Sequence, residues 1–412
     1  MALKTWCERN PGHYAISLDA LSSVSLVELQ KGKSILIELI DDGVVFVQYG
    51  TTGGVQRVSR ESNVSVKEAL RELEPSHITV FPTADYLKSF VDTSEYVGRP
   101  FSLRLALGES EITPVYFNPT VLERYRNDPR YEVFFNGYSG QIACRPHAGD
   151  GADLLERDQA WLKAIGLAYD ESDTRAIVVF LIYLSDLSPE HQQHWNGEIL
   201  EGSFRPHLGF VHVHIRGQSP SHYSVYEAIL REIETINELC VSLSRPPLFL
   251  TSYAMNSIPS EFSFLIRPTR KEYDQFIHNL DKLLSDNINK KFFKSEIELT
   301  EDRPRNDGKV EVIHKNTIRL LSEWLHKNFR TDPPELMDRV MNTFIKVREA
   351  RQRPAHKIDQ NEHQQEYFAK QKELVTEVYE ALAHLRRALY TLPGAVAVDI
   401  DHSLLEGKIW DV

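Results

Sequence analysis

Five basic residues and one histidine crowd into residues 346–357, KVREARQRPAHK, which contain a single acid, Glu349. A histidine can act as base or acid near neutral pH, because its ordinary pKa of about 6.5 lies there. An arginine stays charged and presents a planar fork of donors that matches phosphate oxygens. This combination of residue types predicts a site for phosphate chemistry.

Pro354 falls between two segments with helical periodicity, predicted at 334–350 and 357–391. Proline lacks an N–H group and disfavours helix in the residue before it, so one helix must end here. His356 would then begin the next helix, where free amide groups and the helix dipole favour an anion. Crowded positive charge disfavours a protonated imidazole, and we therefore predict a lowered pKa for His356 and a role as base.

Arg351 and His356 have the spacing R-x4-H, with a polar residue, Gln352, directly after the arginine. This pattern at a helix junction resembles the signature of the higher eukaryote and prokaryote nucleotide-binding (HEPN) superfamily. The resemblance covers the C-terminal third of the chain. It implies a four- or five-helix bundle, with the arginine and histidine at the mouth of a helix junction.

The resemblance also implies an activity, that of a metal-independent endoribonuclease without a cofactor, acting in a toxin or antiphage defence system. Arg351 and His356 would be catalytic. The candidates for holding RNA are Arg348, Gln352, Arg353 and Lys357. Members of the family usually pair as homodimers with both motifs facing one cleft, so we expect a homodimer through the helical domain.

Cleavage of RNA without a metal needs three groups around one phosphate. A base takes the proton of the ribose 2′-hydroxyl, an acid protonates the leaving 5′-oxygen, and positive charge stabilises the phosphorane between them. One histidine cannot easily serve on both sides of the phosphate, whereas two histidines from a twofold-symmetric pair can. The expected homodimer therefore has a chemical reason as well.

Two alternatives stay open. Arg351 and His356 can be structural, capping two helix ends and forming ion pairs with Glu349 or Asp359. The helical domain can also be a non-catalytic nucleic-acid-binding, nucleotide-binding or dimerisation module attached to a ligand-sensing domain. Gln352 leaves the choice open, because the family most often has Asn, Asp or His after the arginine.

Other candidate motifs are incomplete. The tripeptide GKS at 32–34 lacks the earlier glycine of a phosphate-binding loop, and no CxxC or HExxH completes a metal site. Two histidine pairs and one acidic segment remain, and each supplies only part of a metal site: His191 with His194 on a predicted helix, His212 with His214 on a predicted strand, and DIDH at 399–402. We expect packing or surface roles for them and no bound metal.

Composition limits the class of protein. With 412 residues, of which 42% are hydrophobic, the chain can build two cores. The net charge of −12 lies entirely before residue 262, because residues 262–412 hold 25 basic and 25 acidic residues. This argues against a whole-surface nucleic-acid binder and for a local basic site.

No apolar run reaches the ~20 residues of a membrane span. Three scattered cysteines and an N-terminal segment without an apolar core predict a cytoplasmic protein.

The periodicity predicts an α+β multidomain protein. Residues 1–265 are expected to form a mixed α/β domain that binds an activator or inhibitor. They carry predicted hairpins at 34–50 and 130–145, helices at 64–73 and 222–243, and strands at 77–82, 176–184 and 209–217. Residues 266–395 are expected to form an up-and-down helical bundle, with helices at 270–292, 313–329, 334–350 and 357–391. Residues 396–412 are expected to be a tail.

Overall fold

A computed structural model describes most of the chain. The described residues are 16–51, 54–89, 91–135, 137–145, 154–218, 222–253, 262–304, 309–330, 335–352, 360–395 and 398–410. Within these ranges, no helix combines the length and the apolar character needed to cross a bilayer.

The first 218 residues alternate short strands with short helices, as the sequence pattern predicts. The described part of this region has ten strands: β1 (Ile16–Ser17), β2 (Val45–Thr51), β3 (Gly54–Val58), β4 (Ile78–Pro82), β5 (Pro114–Phe117), β6 (Tyr131–Phe135), β7 (Ser139–Cys144), β8 (Leu162–Tyr169), β9 (Arg175–Phe180) and β10 (Arg205–Pro206). The helices are α1 (Leu18–Ser25), α2 (Leu29–Asp41), α3 (Val64–Ala69), α4 (Ala84–Lys88), α5 (Pro100–Ala106), α6 (Glu123–Arg126), α7 (Leu181–Ser185), α8 (Pro189–Asn196) and α9 (Leu208–His214).

These strands form two sheets. The first has the order β1-β4-β2-β3, with antiparallel pairing throughout. The second has the order β5-β9-β8-β7-β6, and β10 lies beside β8. Strand β9 is an interior strand and is almost wholly buried, which explains its continuous apolar sequence.

From residue 223 onward the chain is mainly helical. Its helices are α10 (Val225–Ser242), α11 (Arg270–Leu283), α12 (Thr317–Asn328), α13 (Leu336–Gln352), α14 (Glu366–Tyr390) and α15 (His402–Glu406). Short strands accompany them: β11 (Tyr223–Ser224) pairs in parallel with β14 (Ile409–Trp410), and β12 (Thr300–Pro304) pairs with β13 (Val310–His314).

One apolar core holds the long helices together. Helix α14 packs on α10 and α13, and α13 packs on α11 and α12. Apolar residues at three- and four-residue steps form these contacts, among them Leu320, Leu321 and Trp324 of α12, which are fully buried. The protein is therefore a mixed α/β chain with a helical C-terminal region.

The chain divides into two compact units. The first comprises residues 1–121, 143–165 and 176–202, and the second comprises 122–142, 166–175 and 203–412. The boundary expected at 265/266 falls inside the second unit, because α10 shares the apolar core of the later helices. Residues 398–410, expected as part of a tail, are also ordered, since Leu404 is fully buried and β14 pairs with β11.

Two strand predictions were wrong. Residues 34–41, expected as half of a hairpin, belong to α2, whose buried positions Lys33, Leu36 and Ile40 follow helical spacing. Residues 209–214, expected as a strand, belong to α9, where the Phe210 ring fills the space that a Cβ on Gly166 would occupy. In both segments the β-branched residues suggested a strand, and tertiary packing outweighed that propensity.

Most other predicted elements are confirmed with shifted ends. Strands β4 and β9 lie where strands were expected, and β6 and β7 are the neighbouring strands expected at 130–145. The apolar segment at 176–184 continues past β9 into α7. The four long helices predicted after residue 268 correspond to α11 through α14. The predicted start of the last one at 357, beside His356, was wrong, because residues 360–365 are not helical and α14 begins at Glu366. The helices expected at 222–243 and 64–73 correspond to α10 and α3, and α3 is shorter than expected.

Glu227 is an almost fully buried acid in the first turn of α10, with 6% of its surface exposed. Burial raises its pKa to about 7, an effect that the cation of Arg231 opposes and the carboxylate of Asp401 increases. The native protein therefore binds a proton here in a pH range where the unfolded chain, with an ordinary pKa of 4.5, has released it.

We expect this carboxyl to make the protein less stable as pH rises from 4.5 through 7, because its raised pKa favours the protonated native state at low pH. At about 1.4 kcal/mol per pKa unit, the loss is roughly 3 kcal/mol. Urea unfolding at pH 5 and pH 8 should show a smaller difference for Glu227→Gln than for wild type. Glu238→Gln, an exposed position on the same helix, should behave as wild type. An identical pH dependence in all three proteins would contradict the prediction.

Candidate functional site

The motif arginine lies on the last turn of α13. The buried face of this helix is formed by Met337, Val340, Met341, Phe344 and Val347. Arg348 and Arg351, three positions apart, therefore project from one side of its C-terminal end. Gln352 is exposed. The described residues do not include the other predicted site residues, Arg353, His356 and Lys357, or the predicted ion-pair partner Asp359.

Two aspartates bind the two arginines. Arg351 Nη1 donates to Asp281 Oδ2 at 2.6 Å and also to Asp286 Oδ2. Arg348 Nη2 donates to Asp286 Oδ1 at 2.7 Å, and its Nε lies 3.3 Å from Asp281 Oδ1. Asp281 belongs to α11, and Asp286 belongs to the single turn at 285–287 that follows it. Each aspartate therefore bridges both arginines.

The four groups differ in their exposure to solvent. The Asp281 side chain is fully buried, whereas the Asp286 side chain is 39% exposed and the two arginines are about one quarter exposed. Burial by itself would raise the pKa of Asp286, but hydrogen bonds from Arg348 and Arg351 lower it overall. The hydrogen bond to Asp281 raises the pKa of Arg351 further above its ordinary value. The site therefore sets two carboxylates against two guanidinium groups.

The aspartates leave part of the Arg351 fork open. Only its Nη1 atom contacts them, and in the described part of the chain its Nε and Nη2 have no acceptor. Asp281 fixes the guanidinium from the buried side, because a fully buried carboxylate holds its partner in one place. The free edge of Arg351 can donate two parallel hydrogen bonds to one phosphate group.

These contacts bear on the alternative in which Arg351 is merely a helix-end residue. That alternative named Glu349 or Asp359 as its ion-pair partner. Glu349 is exposed, and the carboxylates that Arg351 contacts lie 65 and 70 positions earlier in the chain. Arg351 thus has a structural contact that joins α13 to α11, and this contact can coexist with phosphate binding by its free edge.

Lys346, the first basic residue of the cluster, lies on a different side of α13. Its Nζ forms ion pairs with Glu377 at 2.7 Å and Glu373 at 3.7 Å, both on α14. It lines a polar groove between α13 and α14 with a volume of about 350 Å³. The helix therefore separates Lys346 from Arg348 and Arg351, although the three residues are close in sequence.

Sequence reasoning missed Asp281 and Asp286. A signal for them exists, because a negative charge near the C-terminus of a helix is unfavourable unless a cation neutralises it. Both residues occupy such positions around the end of α11. The signal indicates that a cation is needed, but it does not identify which one.

The GKS segment has a structural role. Gly32, Lys33 and Ser34 lie inside α2 rather than in a loop. The Lys33 ammonium group is directed inward and donates to the carbonyl oxygens of Arg71 at 2.8 Å and Leu73 at 2.6 Å. A lysine used in this way is not available to a phosphate.

The histidine pairs also have local partners. His191 is fully buried on α8, and a ring nitrogen of His194 lies 3.0 Å from the Val121 carbonyl oxygen. His212 and His214, expected side by side on a strand, lie two positions apart on α9, so they diverge. His214 Nε2 lies 2.9 Å from Ser139 Oγ.

The DIDH segment stabilises the start of α15. Asp401 Oδ1 accepts from the Ser403 amide at 2.8 Å, and Asp401 Oδ2 accepts from the Tyr223 hydroxyl at 2.7 Å. Across the described ranges, no three His, Cys, Asp or Glu side chains are grouped as a metal ion requires.

No protein-family model matches this chain, and searches of curated proteins and of solved structures also find no significant match. The assignment of function therefore depends on the residues themselves.

We expect the Asp286 carboxylate, which contacts both arginines, to compete electrostatically with a phosphate at the open edge of Arg351. Asp286→Asn should therefore strengthen RNA binding. Loss of one nearby negative charge at a partly exposed site is worth about 1 kcal/mol, or roughly fivefold in Kd. Fluorescence anisotropy with labelled RNA at low salt measures this in the His356→Ala background, where cleavage is not expected. Asp302→Asn, an exposed position on β12, removes the same charge elsewhere. Equal affinities of the two variants would contradict the competition.

Proposed function

We propose that the helical C-terminal region is a HEPN-like bundle and that this chain is a metal-independent endoribonuclease. The observation that carries the proposal is the way in which the guanidinium group of Arg351 is held. The motif arginine is held from the buried side by Asp281, and two of its donors have no acceptor among the described residues. This is the arrangement that phosphate recognition by an arginine requires.

The chemistry follows from the two motif residues. His356 removes the proton of a ribose 2′-hydroxyl, and the 2′-oxygen attacks the adjacent phosphorus. The free edge of Arg351 stabilises the negative charge of the phosphorane. The bond to the 5′-oxygen breaks, and that oxygen takes a proton from a general acid. The products are a 2′,3′-cyclic phosphate and a free 5′-hydroxyl, and no metal or redox step is needed.

A homodimer supplies the general acid in this proposal. His356 of a second copy would stand on the opposite side of the phosphate, so that one imidazole acts as base and the other as acid. Light scattering at micromolar concentration should therefore give the mass of a dimer. A monodisperse monomer that cleaves RNA would contradict this part of the mechanism.

The remainder of the chain is proposed to restrain or trigger the nuclease by binding an activator or inhibitor, in a cytoplasmic toxin or antiphage defence system. An unrestrained ribonuclease would harm its own cell. The proposal for this part has no site residues attached to it.

The decisive experiment incubates the purified protein with total RNA in EDTA. Wild type should cleave the RNA and leave 2′,3′-cyclic phosphate ends, and His356→Ala should not. Arg339→Ala, an exposed position on the same helix, should cleave as wild type does. Cleavage that EDTA abolishes, or equal cleavage by His356→Ala, would sink the proposal.

A second candidate function is a non-catalytic nucleic-acid-binding or dimerisation module. It is favoured by the ion pairs of Arg348 and Arg351, since two aspartates already balance the charges of these two arginines. RNA binding by wild type without cleavage, with or without candidate activators, would select this alternative.

A further inference from the structure

A cavity lies in the first unit, between two helices and the first sheet. Helices α1 and α2 form two of its sides, and residues of β2 and β4 form a third. Its volume is about 210 Å³. A small organic molecule fits in such a space, because an apolar cavity of ~150 Å³ holds one molecule of benzene.

The wall of this cavity is mainly aliphatic. Half-buried side chains contribute to it, among them Leu21, Ile35 and Leu39, together with the buried side chains of Val45 and Val80. Among the described residues that line the cavity, none carries a charge. An ionised ligand would lose its water here without gaining an opposite charge, which is costly. The wall therefore suits a neutral and largely apolar molecule.

Ser22 places one polar group in this aliphatic wall. It belongs to α1, lines the cavity, and has only 6% of its surface exposed. Its hydroxyl group is directed toward α2, because a Cβ on Gly32 would lie 3.1 Å from Ser22 Oγ.

The hydroxyl groups of Ser22 and Ser25 differ in their hydrogen bonds, although both residues line the cavity. Ser25 Oγ donates to the Leu21 carbonyl oxygen at 2.7 Å. The Ser22 hydroxyl has no hydrogen-bond partner in the part of the chain that the structure describes. A buried hydroxyl without a partner is unfavourable, so a polar group of a ligand would be stabilised at this point of the wall.

We propose that this cavity is a binding site for a small neutral alcohol or phenol of about eight non-hydrogen atoms. The apolar part of the ligand contacts the aliphatic wall, and its hydroxyl group forms a hydrogen bond with Ser22. An apolar wall with a few placed polar groups is the usual construction of small-molecule sites. The binding does not depend on the nuclease assignment, because every residue of the wall lies between Leu18 and Tyr86.

Isothermal titration calorimetry with p-cresol and p-xylene tests the proposal, because these two ligands have nearly the same size and differ in one hydroxyl group. Both should bind wild type. Ser22→Ala should lower the affinity for p-cresol about fivefold, the usual effect of losing one hydrogen bond, and should not lower the affinity for p-xylene. Benzoate is similar in size but charged, and it should bind about tenfold more weakly than p-cresol, or not at all.

Two further variants complete the experiment. Ser23→Ala removes an exposed hydroxyl at the next position of α1, and it should bind both ligands as wild type does. Ile35→Trp places a larger side chain in the wall and should abolish the binding of both ligands. If Ile35→Trp fails to fold, the comparison of Ser22→Ala with Ser23→Ala still tests the site.

Several results would overturn the proposal. One is wild type that binds neither ligand at millimolar concentration, and another is an equal loss of affinity for both ligands in Ser22→Ala. Undiminished binding by a folded Ile35→Trp would place the ligands elsewhere. Binding that weakens as the protein concentration rises would make a second copy of the chain the occupant. Binding that appears only in Trp6→Ala would make the occupant a segment of this chain.

Discussion

Replacing Arg351 by alanine is expected to slow RNA cleavage about 10²–10³-fold, the usual effect of removing one preorganised donor to a developing negative charge. Single-turnover cleavage of a defined RNA at saturating protein measures the chemical step apart from RNA binding. Arg351→Lys should recover little activity, because an ammonium group keeps the charge but lacks the planar fork of donors.

The same replacement also removes a partner from Asp281, which is fully buried. Arg348 still contacts this carboxylate, so the loss of stability should be about 1–3 kcal/mol rather than complete unfolding. The double variant Asp281→Asn with Arg351→Gln removes the buried negative charge together with the cation. It should regain part of the stability and none of the activity.

This comparison separates the two roles of Arg351. If activity returned with stability in the double variant, Arg351 would be a structural residue and the catalytic assignment would be wrong. If Arg351→Ala retained wild-type cleavage at full folding, the assignment would be wrong as well. Thermal unfolding of each variant gives the folded fraction needed for both conclusions.

The second large effect is expected at the ion pair that joins α10 to α14. Arg386 Nε donates to Glu232 Oε2 at 2.6 Å, and Arg386 Nη2 donates to the Leu404 carbonyl oxygen at 3.1 Å. The Glu232 side chain is fully buried and that of Arg386 is 2% exposed. Burial raises the pKa of Glu232, and its contacts with Arg386 oppose that effect.

Arg386→Met should destabilise the protein by about 3–5 kcal/mol, because it leaves a buried carboxylate without its cation. Urea unfolding followed by far-UV circular dichroism measures the change. Without Arg386 the pKa of Glu232 rises further, and the protonated form favours the native state. The loss should therefore be larger at pH 8 than at pH 5.

Two variants serve as controls for this pair. Arg387→Met changes an exposed arginine at the adjacent position and should have little effect. Glu232→Gln combined with Arg386→Met removes both charges and should recover much of the stability, since replacing a whole buried pair is often nearly neutral. An equal loss in the single and double variants would show that packing, rather than the buried charge, dominates.

The helical half was predictable because its information is local. A buried stripe at three- and four-residue steps marks a helix whatever it packs against, so α11 through α14 could be located from sequence alone. Strand β9 was likewise evident from its unbroken apolar sequence. The position of Arg351 at the end of α13 followed from the same periodicity.

Segments with mixed signals were decided by their neighbours. The β-branched residues of α2 and α9 indicated strands, but α9 is a helix in which Phe210 packs over Gly166 and Gly209 packs against the Tyr138 ring. Propensity amounts to a fraction of a kcal/mol per residue, whereas burial of an aromatic side chain is worth about 1.5–3 kcal/mol. Packing therefore outweighed the local pattern.

The sequence alone determined where Lys346, Arg348 and Arg351 lie along α13, and that Arg351 and His356 have the R-x4-H spacing. Only the tertiary structure decided that Asp281 and Asp286 neutralise Arg348 and Arg351, and that Lys346 is directed to α14 instead. The physical reason is the range of the interaction. An ion pair depends on distance in space, and these partners are 62 to 70 residues apart along the chain.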